Sequence, residues 1–291
     1  MTPAETLLLD ASSLLYRAFF ALPRSITGSD GKPVNAVRGF LDMTSHLITA
    51  RRPAGVVAVL DEDWRPAFRV SAYPGYKAAR PDEPEEITVQ LSLLKRVLDA
   101  AGVARAVAEG LEADDVIATL AQDATVQRPA AIVTGDRDLL CLVRDPSVKV
   151  LFTVRGVKDL KEFDAACVEA QYGVRPEVYP ELALLRGDPS DGLPGVAGVG
   201  PKKAADLLSG YGTIDGILDA AGELPSGMRA AFEKARDYLE RARAVVELRR
   251  DADVTATEAH PLDEDALARR AESHNLASPV KRLLAALGRL G

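Results

Sequence analysis

Cysteine is nearly missing: Cys141 and Cys167 are the only two, and they form no CxxC pair. Isolated thiols in apolar stretches read as buried side chains, so no disulfide framework is supported. Histidine is as scarce. His46, His260 and His274 make no HExxH or Cys/His spacing, which argues against a zinc site. Aromatics are 5% of the chain, and no apolar run reaches the roughly 18 residues of a membrane span. The start, MTPAETLLLD, has no basic n-region and meets an acid at Asp10, so it is not a signal peptide. The cytoplasm is the expected compartment, with no membrane partner. The 291 residues, 47% hydrophobic, can bury a large core, as one α/β domain or as a core with a smaller domain. A net charge of −7, if evenly spread, counts against a nucleic-acid partner.

Strand and helix signals alternate through the first half. Residues 6–9 are a short apolar run ending at Asp10, followed by an amphipathic stretch over 14–20. Residues 34–50 have helical spacing, and GVVAVL (55–60) has the size of a buried parallel strand. Helix is predicted at 89–101, 116–124 and 138–143, and strand near 103–107, 131–133 and 148–152. This alternation implies a central, mostly parallel sheet flanked by helices. RPDEPEE (80–86) interrupts it as a surface loop or a flap. Past Tyr179 the strand signal fades, and helices are predicted at 181–185, 202–208, 214–220, 229–250 and 263–289. The expected division is an α/β core over 1–178 and a helical subdomain over 179–291.

The acids are not scattered. Asp10 and Asp61 end two strand signals, and Asp136 and Asp138 follow a third, in TGDRD. Residues just beyond the carboxyl ends of parallel strands line the ligand crevice of such sheets. LEADDVIATL adds Glu112, Asp114 and Asp115 at a helix start, with Glu112 and Asp115 on one face. A helix cap explains one acid there, worth about 0.3–1 kcal/mol, but not three. Asp188 and Asp191 sit in RGDPSDGLPG, where turn chemistry alone would explain either. Nine carboxylates brought together without cations would repel or take up protons. Oxygen-only ligand sets suit Mg²⁺ or Mn²⁺. Setting nine of the 43 acids aside leaves the remainder close to balance with 36 basic residues, which removes the objection from charge.

GVAGVGPKK follows. Gly198 and Gly200 permit close backbone approach, and Lys202 and Lys203 open the next helix, a phosphate seat that reads backbone and not sequence. Arg69 beside Phe68, then Tyr73, Tyr76, Lys77 and Arg80, interleave aromatics with cations, a mix suited to single-stranded nucleic acid and also to an ordinary snorkelling surface.

These stretches, LLLDASSLLYRAFFALP, GKPVNAVRGF, VLDEDWRPAFRVSAYPGYKAAR, GLEADDVIATLA, VTGDRDLLCLV and LRGDPSDGLPGVAGVGPKKAADLL, resemble the 5′-nuclease family in composition and order. Its members are the flap endonucleases and the 5′→3′ exonuclease domain of bacterial DNA polymerase I. The resemblance covers about residues 6–210 and implies a PIN/resolvase-like core, an arch near 70–95 and a helix-three-turn-helix at about 187–208. It implies a stand-alone, monomeric nuclease that cuts DNA at 5′ flaps, nicks or 5′ ends to 5′-phosphate and 3′-hydroxyl products. RNA or RNA-primer strands are an alternative, since the site reads phosphates and not bases. By the same resemblance Asp10, Asp61, Glu112, Asp114, Asp115, Asp136, Asp138, Asp188 and Asp191 hold two or more divalent ions. Lys77 and Arg80 contact the scissile phosphate, Arg69, Tyr76, Gly198, Gly200, Lys202 and Lys203 meet DNA, and a K⁺ ion sits in the helix-three-turn-helix. Gly192 stands where the family has Asn, and Arg38 where an aromatic is usual. A non-catalytic junction-binding protein of this fold would have lost core acids. A small-molecule phosphohydrolase would not need GVAGVGPKK.

Overall fold

The computed structural model describes residues 3–81, 83–154, 156–257, 259 and 261–288. Asp82 of the Pro/acid stretch, His260 and Arg289 therefore lie outside the described residues.

Five parallel strands form the centre: β1 (Thr6–Asp10), β2 (Gly55–Val59), β3 (Ala104–Val107), β4 (Ala130–Thr134) and β5 (Val148–Thr153). Two antiparallel edges complete the sheet, β6 (Leu160–Phe163) and β7 (Thr255–Thr257), in the order β6-β5-β4-β1-β2-β3-β7. Because side chains alternate along a strand, one sheet serves two cores. Leu8 and Ile132 join one cluster, and Leu7, Leu9, Ala131 and Val133 the other.

The second cluster packs under α1 (Ala11–Ala21), α2 (Asn35–Arg51) and α4 (Glu85–Ala100). A buried amide pair ties these helices. Gln90 Oε1 accepts from Ala36 N–H at 2.8 Å, serving a donor that the start of α2 would otherwise leave unpaired. Asn35 Nδ2 donates to Phe19 O at 2.8 Å, and Gln90 Nε2 donates to Asn35 Oδ1 at 3.1 Å. The first cluster carries α5 (Ala113–Leu120), α7 (Tyr179–Arg186), α8 (Pro201–Tyr211) and α10 (Ser226–Val246). Short helices α3 (Ala67–Ala72), α6 (Ala165–Tyr172) and α9 (Ile214–Asp219) pack on the same cluster.

The structure departs from the sequence reading in several places, among them the unpredicted β6, α3 and α6. Strand signal does not end at Tyr179, because β7 pairs with β3 through Arg105–Val107. The predicted helix over 263–289 is two, α11 (Glu264–Ser273) and α12 (Ala277–Leu287), separated where Asn275 takes φ 54°. Both pack in the core cluster under α2 and α4 through Leu267, Val280 and Leu283. Residues 138–142 form a tight 3₁₀ turn instead of an α-helix. Finally, α4 begins at Glu85, ahead of the start expected at Val89, and buries Ile87, Gln90, Leu93 and Leu94.

Among the described residues, no helix is long and apolar enough to cross a membrane.

Candidate functional site

β1 lies between β2 and β4: the chain runs from β1 through β2 and β3 toward one edge, then returns to β4 and continues through β5 and β6 toward the other. This reversal opens a crevice beyond the strands' carboxyl ends. Asp10 is the last residue of β1, while Asp61 and Asp136 lie just past β2 and β4. Asp10 Oδ1 caps α1 by accepting from Ser13 N–H at 3.1 Å, and its Oδ2 accepts from the Thr134 hydroxyl at 2.6 Å. Thr134 Oγ1 accepts in turn from Asp136 N–H at 2.8 Å, and Asp136 Oδ1 accepts from Asp138 N–H at 2.9 Å. One threonine hydroxyl thus links the Asp10 carboxylate to the backbone of Asp136; nothing in the sequence marked it.

The start of α5 is capped from outside. Ala113 N–H donates to Asp61 Oδ1 at 2.7 Å, and Glu112 makes no side-chain capping bond. The acids of LEADDVIATL are therefore not there to cap their own helix. Asp10, Asp61, Glu112, Asp114 and Asp136 line one cleft of about 860 Å³. Lys77 and Arg80 face it, as do Tyr16, Phe20 and Trp64, which are 39%, 62% and 43% exposed. Those three aromatics were not singled out from sequence, although Tyr16 and Phe20 stand one helical turn apart just after Asp10.

Burial, then crowding, raises the carboxyls' proton affinity. Burial, with Asp61 and Asp136 nearby, lifts Asp10 to about 7 against the bonds from Thr134 and Ser13. Asp114 is raised well above the ordinary carboxylate range by burial, then by Asp136, Asp10, Glu112 and Asp61. Asp138 is raised in the same way by burial, then by Asp136, Asp191 and Asp188. Asp188 and Asp191 thus act electrostatically on Asp138, and Asp136 acts on both this set and the cleft carboxyls. Among the described residues, no three acidic, His or Cys side chains close into a finished ion cage. An all-oxygen set with incomplete protein coordination fits ions that keep several waters, as Mg²⁺ does.

A stability prediction follows. Acids with raised native pKa values bind more protons folded than unfolded, so stability falls as pH rises through the interval between the two. In EDTA the melting temperature is expected to drop between about pH 4 and pH 7, the window set by Asp10, with Asp114 and Asp138 acting in the same direction. Millimolar Mg²⁺ should flatten the profile in a thermal-shift titration. A melting temperature that rises across this window in EDTA would contradict the raised proton affinity of these buried, crowded acids.

Three expected site residues lie elsewhere. Asp115 is 0% exposed and grips Arg69, accepting from Nη1 at 2.7 Å and Nη2 at 2.8 Å, and its Oδ1 also takes Arg249 N–H at 2.9 Å. It is a structural counter-ion, not a cleft ligand. Arg69 is 1% exposed and cannot reach DNA. Tyr76 is buried as well, and its hydroxyl donates to Glu112 Oε2 at 2.7 Å. Glu112 and Asp115 do share a face, but what they share is Arg69. Removing one partner from such a buried pair costs about 3–5 kcal/mol.

Lys77 Nζ donates to Glu112 Oε1 and to Trp64 O, and its backbone N–H donates to Asp191 O at 3.0 Å. Arg80 Nη2 donates to Asp191 Oδ1 at 2.8 Å and its Nε to Ser190 O at 3.0 Å. Each expected phosphate contact is thus parked on an expected metal ligand. Gly192 has φ 76°, and a Cβ there would lie 2.2 Å from Gly75 O. The missing side chain, where an Asn was expected, is what lets the 188–192 turn seat against the turn that carries Lys77.

The turn from α7 to α8 depends on a backbone crossing. A Cβ on Gly195 would lie 2.6 Å from Gly187 N, so only glycine fits. Gly198 and Gly200 face open space, exposed Lys202 and Lys203 begin α8, and Lys203 Nζ donates to Gly198 O at 2.9 Å.

Comparison with known proteins places the chain in a family. Residues 5–173 match the family "5'-3' exonuclease, N-terminal resolvase-like domain", and residues 174–266 match "5'-3' exonuclease, C-terminal SAM fold". A 5'-3' exonuclease of Mycobacterium tuberculosis is 44% identical, with 97% of this chain aligned to 98% of that protein. DNA polymerase I of Mycobacterium leprae is 38% identical over the whole chain, which covers 32% of the polymerase. Among solved structures, a T5 5'-exonuclease with bound zinc superposes with a TM-score of 0.65 at 18% identity, covering 99% of this chain and 100% of that one. The catalytic core of Rad2 in complex with DNA substrate gives 0.64 at 18% identity, over 99% of this chain and 93% of that one. Matched along nearly its whole length, the chain belongs to the 5'-3' exonuclease family and is a nuclease.

Proposed function

We propose that this nuclease hydrolyses DNA phosphodiesters at 5′ flaps, nicks and 5′ ends, using two or more divalent ions, Mg²⁺ or Mn²⁺. The observation that carries the reading is the convergence of carboxylates from β1, β2, β4 and the start of α5 on one cleft that also holds Lys77 and Arg80. Asp10, Asp61, Glu112, Asp114 and Asp136 would hold ions in the cleft, with Asp138, Asp188 and Asp191 serving the adjoining group. Divalent ions bound there would lower the pKa of water and offset charge on the phosphate.

The chain's own residues do the rest. Lys77 and Arg80, released from Glu112 and Asp191, neutralise charge developing on the phosphoryl oxygens. Tyr16, Phe20 and Trp64 offer ring faces to unstacked bases, a contact that any sequence satisfies. The α7–α8 turn holds duplex phosphate through the N–H groups near Gly198 and Gly200 and through Lys202 and Lys203, with a K⁺ ion in the turn completing the seat. RNA strands can enter on the same phosphate chemistry, and the protein works as a monomer.

Product sizing on flap, nicked and blunt DNA, with Mg²⁺ and then Mn²⁺, tests this reading. The expected result is a 5′-phosphate product from flap and nicked substrates that disappears in EDTA. Equal cleavage in EDTA, or turnover of free nucleotides in place of DNA, would overturn it.

A further inference from the structure

Glu112 spends its two oxygens differently. Oε2 accepts from Arg69 Nη1 at 2.6 Å and from the Tyr76 hydroxyl at 2.7 Å, both inside the protein. Oε1 accepts from Lys77 Nζ, at the cleft wall. Arg69 is itself held on three sides: by Asp115 through two nitrogens, by Glu112, and by the carbonyl of Val245 on α10, which takes Nε–H at 3.0 Å. A planar guanidinium with fixed donors is well suited to setting the rotation of a carboxylate.

We infer that Arg69 and Tyr76 are positioning residues that occupy Glu112 Oε2 and leave Oε1 as the single oxygen presented to a cation in the cleft. The inference rests on the metal reading of the cleft given above and names the residues that set one ligand's geometry. Groups that hydrogen-bond a metal ligand from behind orient it, and losing one typically weakens metal binding by about 10–100-fold. An oxygen carrying two buried donors has little capacity left for an ion. Glu112 is thereby a one-oxygen ligand, and Lys77 is the group that must leave for it to bind.

Tyr76→Phe tests this with minimal change of shape, since it removes one hydroxyl. The measurement is Mn²⁺ binding to DNA-free protein by titration calorimetry. The expected result is affinity reduced about tenfold or more with the number of sites unchanged. In a Glu112→Gln background the same substitution should add little, because the effect runs through Glu112. Arg69→Lys, which keeps the charge but not the fork, should weaken Mn²⁺ binding while the protein still melts cooperatively. A purely structural role predicts a lower melting temperature with Mn²⁺ affinity unchanged, and that result overturns the inference. So does an equal loss of affinity from Tyr76→Phe with and without Glu112→Gln. If the wild-type protein binds Mn²⁺ but cuts no DNA, the proposed function fails alone; if it binds no Mn²⁺, both fail.

Discussion

Asp136→Ala is expected to lower cleavage of a 5′-flap substrate by at least the roughly 10²–10³-fold that follows loss of one preorganised charge stabiliser. Asp136 is the carboxylate that acts on both sets of acids. It contributes to raising Asp10, Asp114, Asp138 and Asp191. Its loss should therefore impair ion binding on both sides. The same substitution removes repulsion from the metal-free protein, so the melting temperature in EDTA is expected to rise while activity collapses. Such opposed changes mark a site kept for function at a cost in stability. Single-turnover cleavage in Mg²⁺ beside a melting curve in EDTA reads both, and wild-type cleavage by the variant would refute its place at the centre.

Lys77→Ala should bring a loss of similar size, about 10²–10³-fold in the rate of the bound complex. Lys77 has φ 51°, a backbone conformation that side-chain-bearing residues rarely adopt. Such strain costs about 1–3 kcal/mol and persists where surrounding contacts enforce it, here the bond to Asp191 O. If the ammonium acts on charge that develops during reaction, kcat falls and KM for DNA changes little. A raised KM with unchanged kcat would reduce Lys77 to a uniform binding contact.

The strand-end acids were legible because a buried parallel strand is an apolar run, and its first charged residue marks where the chain leaves the core. Arg69 was illegible for the opposite reason. A cation between aromatics reads as surface, and the acids that bury it lie 43 and 46 residues further along. Asp115 fell with it: helical spacing correctly put it on Glu112's face, but only the fold shows that face turned toward Arg69. Tyr76 was misplaced because a sequence does not record which way a turn points its ring. Strand β7 is three residues long with no apolar run of its own, so its partner β3 defines it. The helix expected at 138–143 had the right apolar positions, and apolar spacing over so few residues does not separate a 3₁₀ turn from an α-turn.

The two outer strands of the sheet, β6 and β7, flank the helical segment in the sequence. That segment leaves from one edge and returns at the other, like a handle riveted at both ends. A unit tethered by one linker could swing away from the cleft. Here a swing would require β7 to peel from β3, or α10 to give up the Val245–Arg69 bond. The distance from the α7–α8 turn to the carboxylates therefore behaves as a fixed gauge length; if that turn seats the duplex as proposed, the offset between grip and cut is set by the fold.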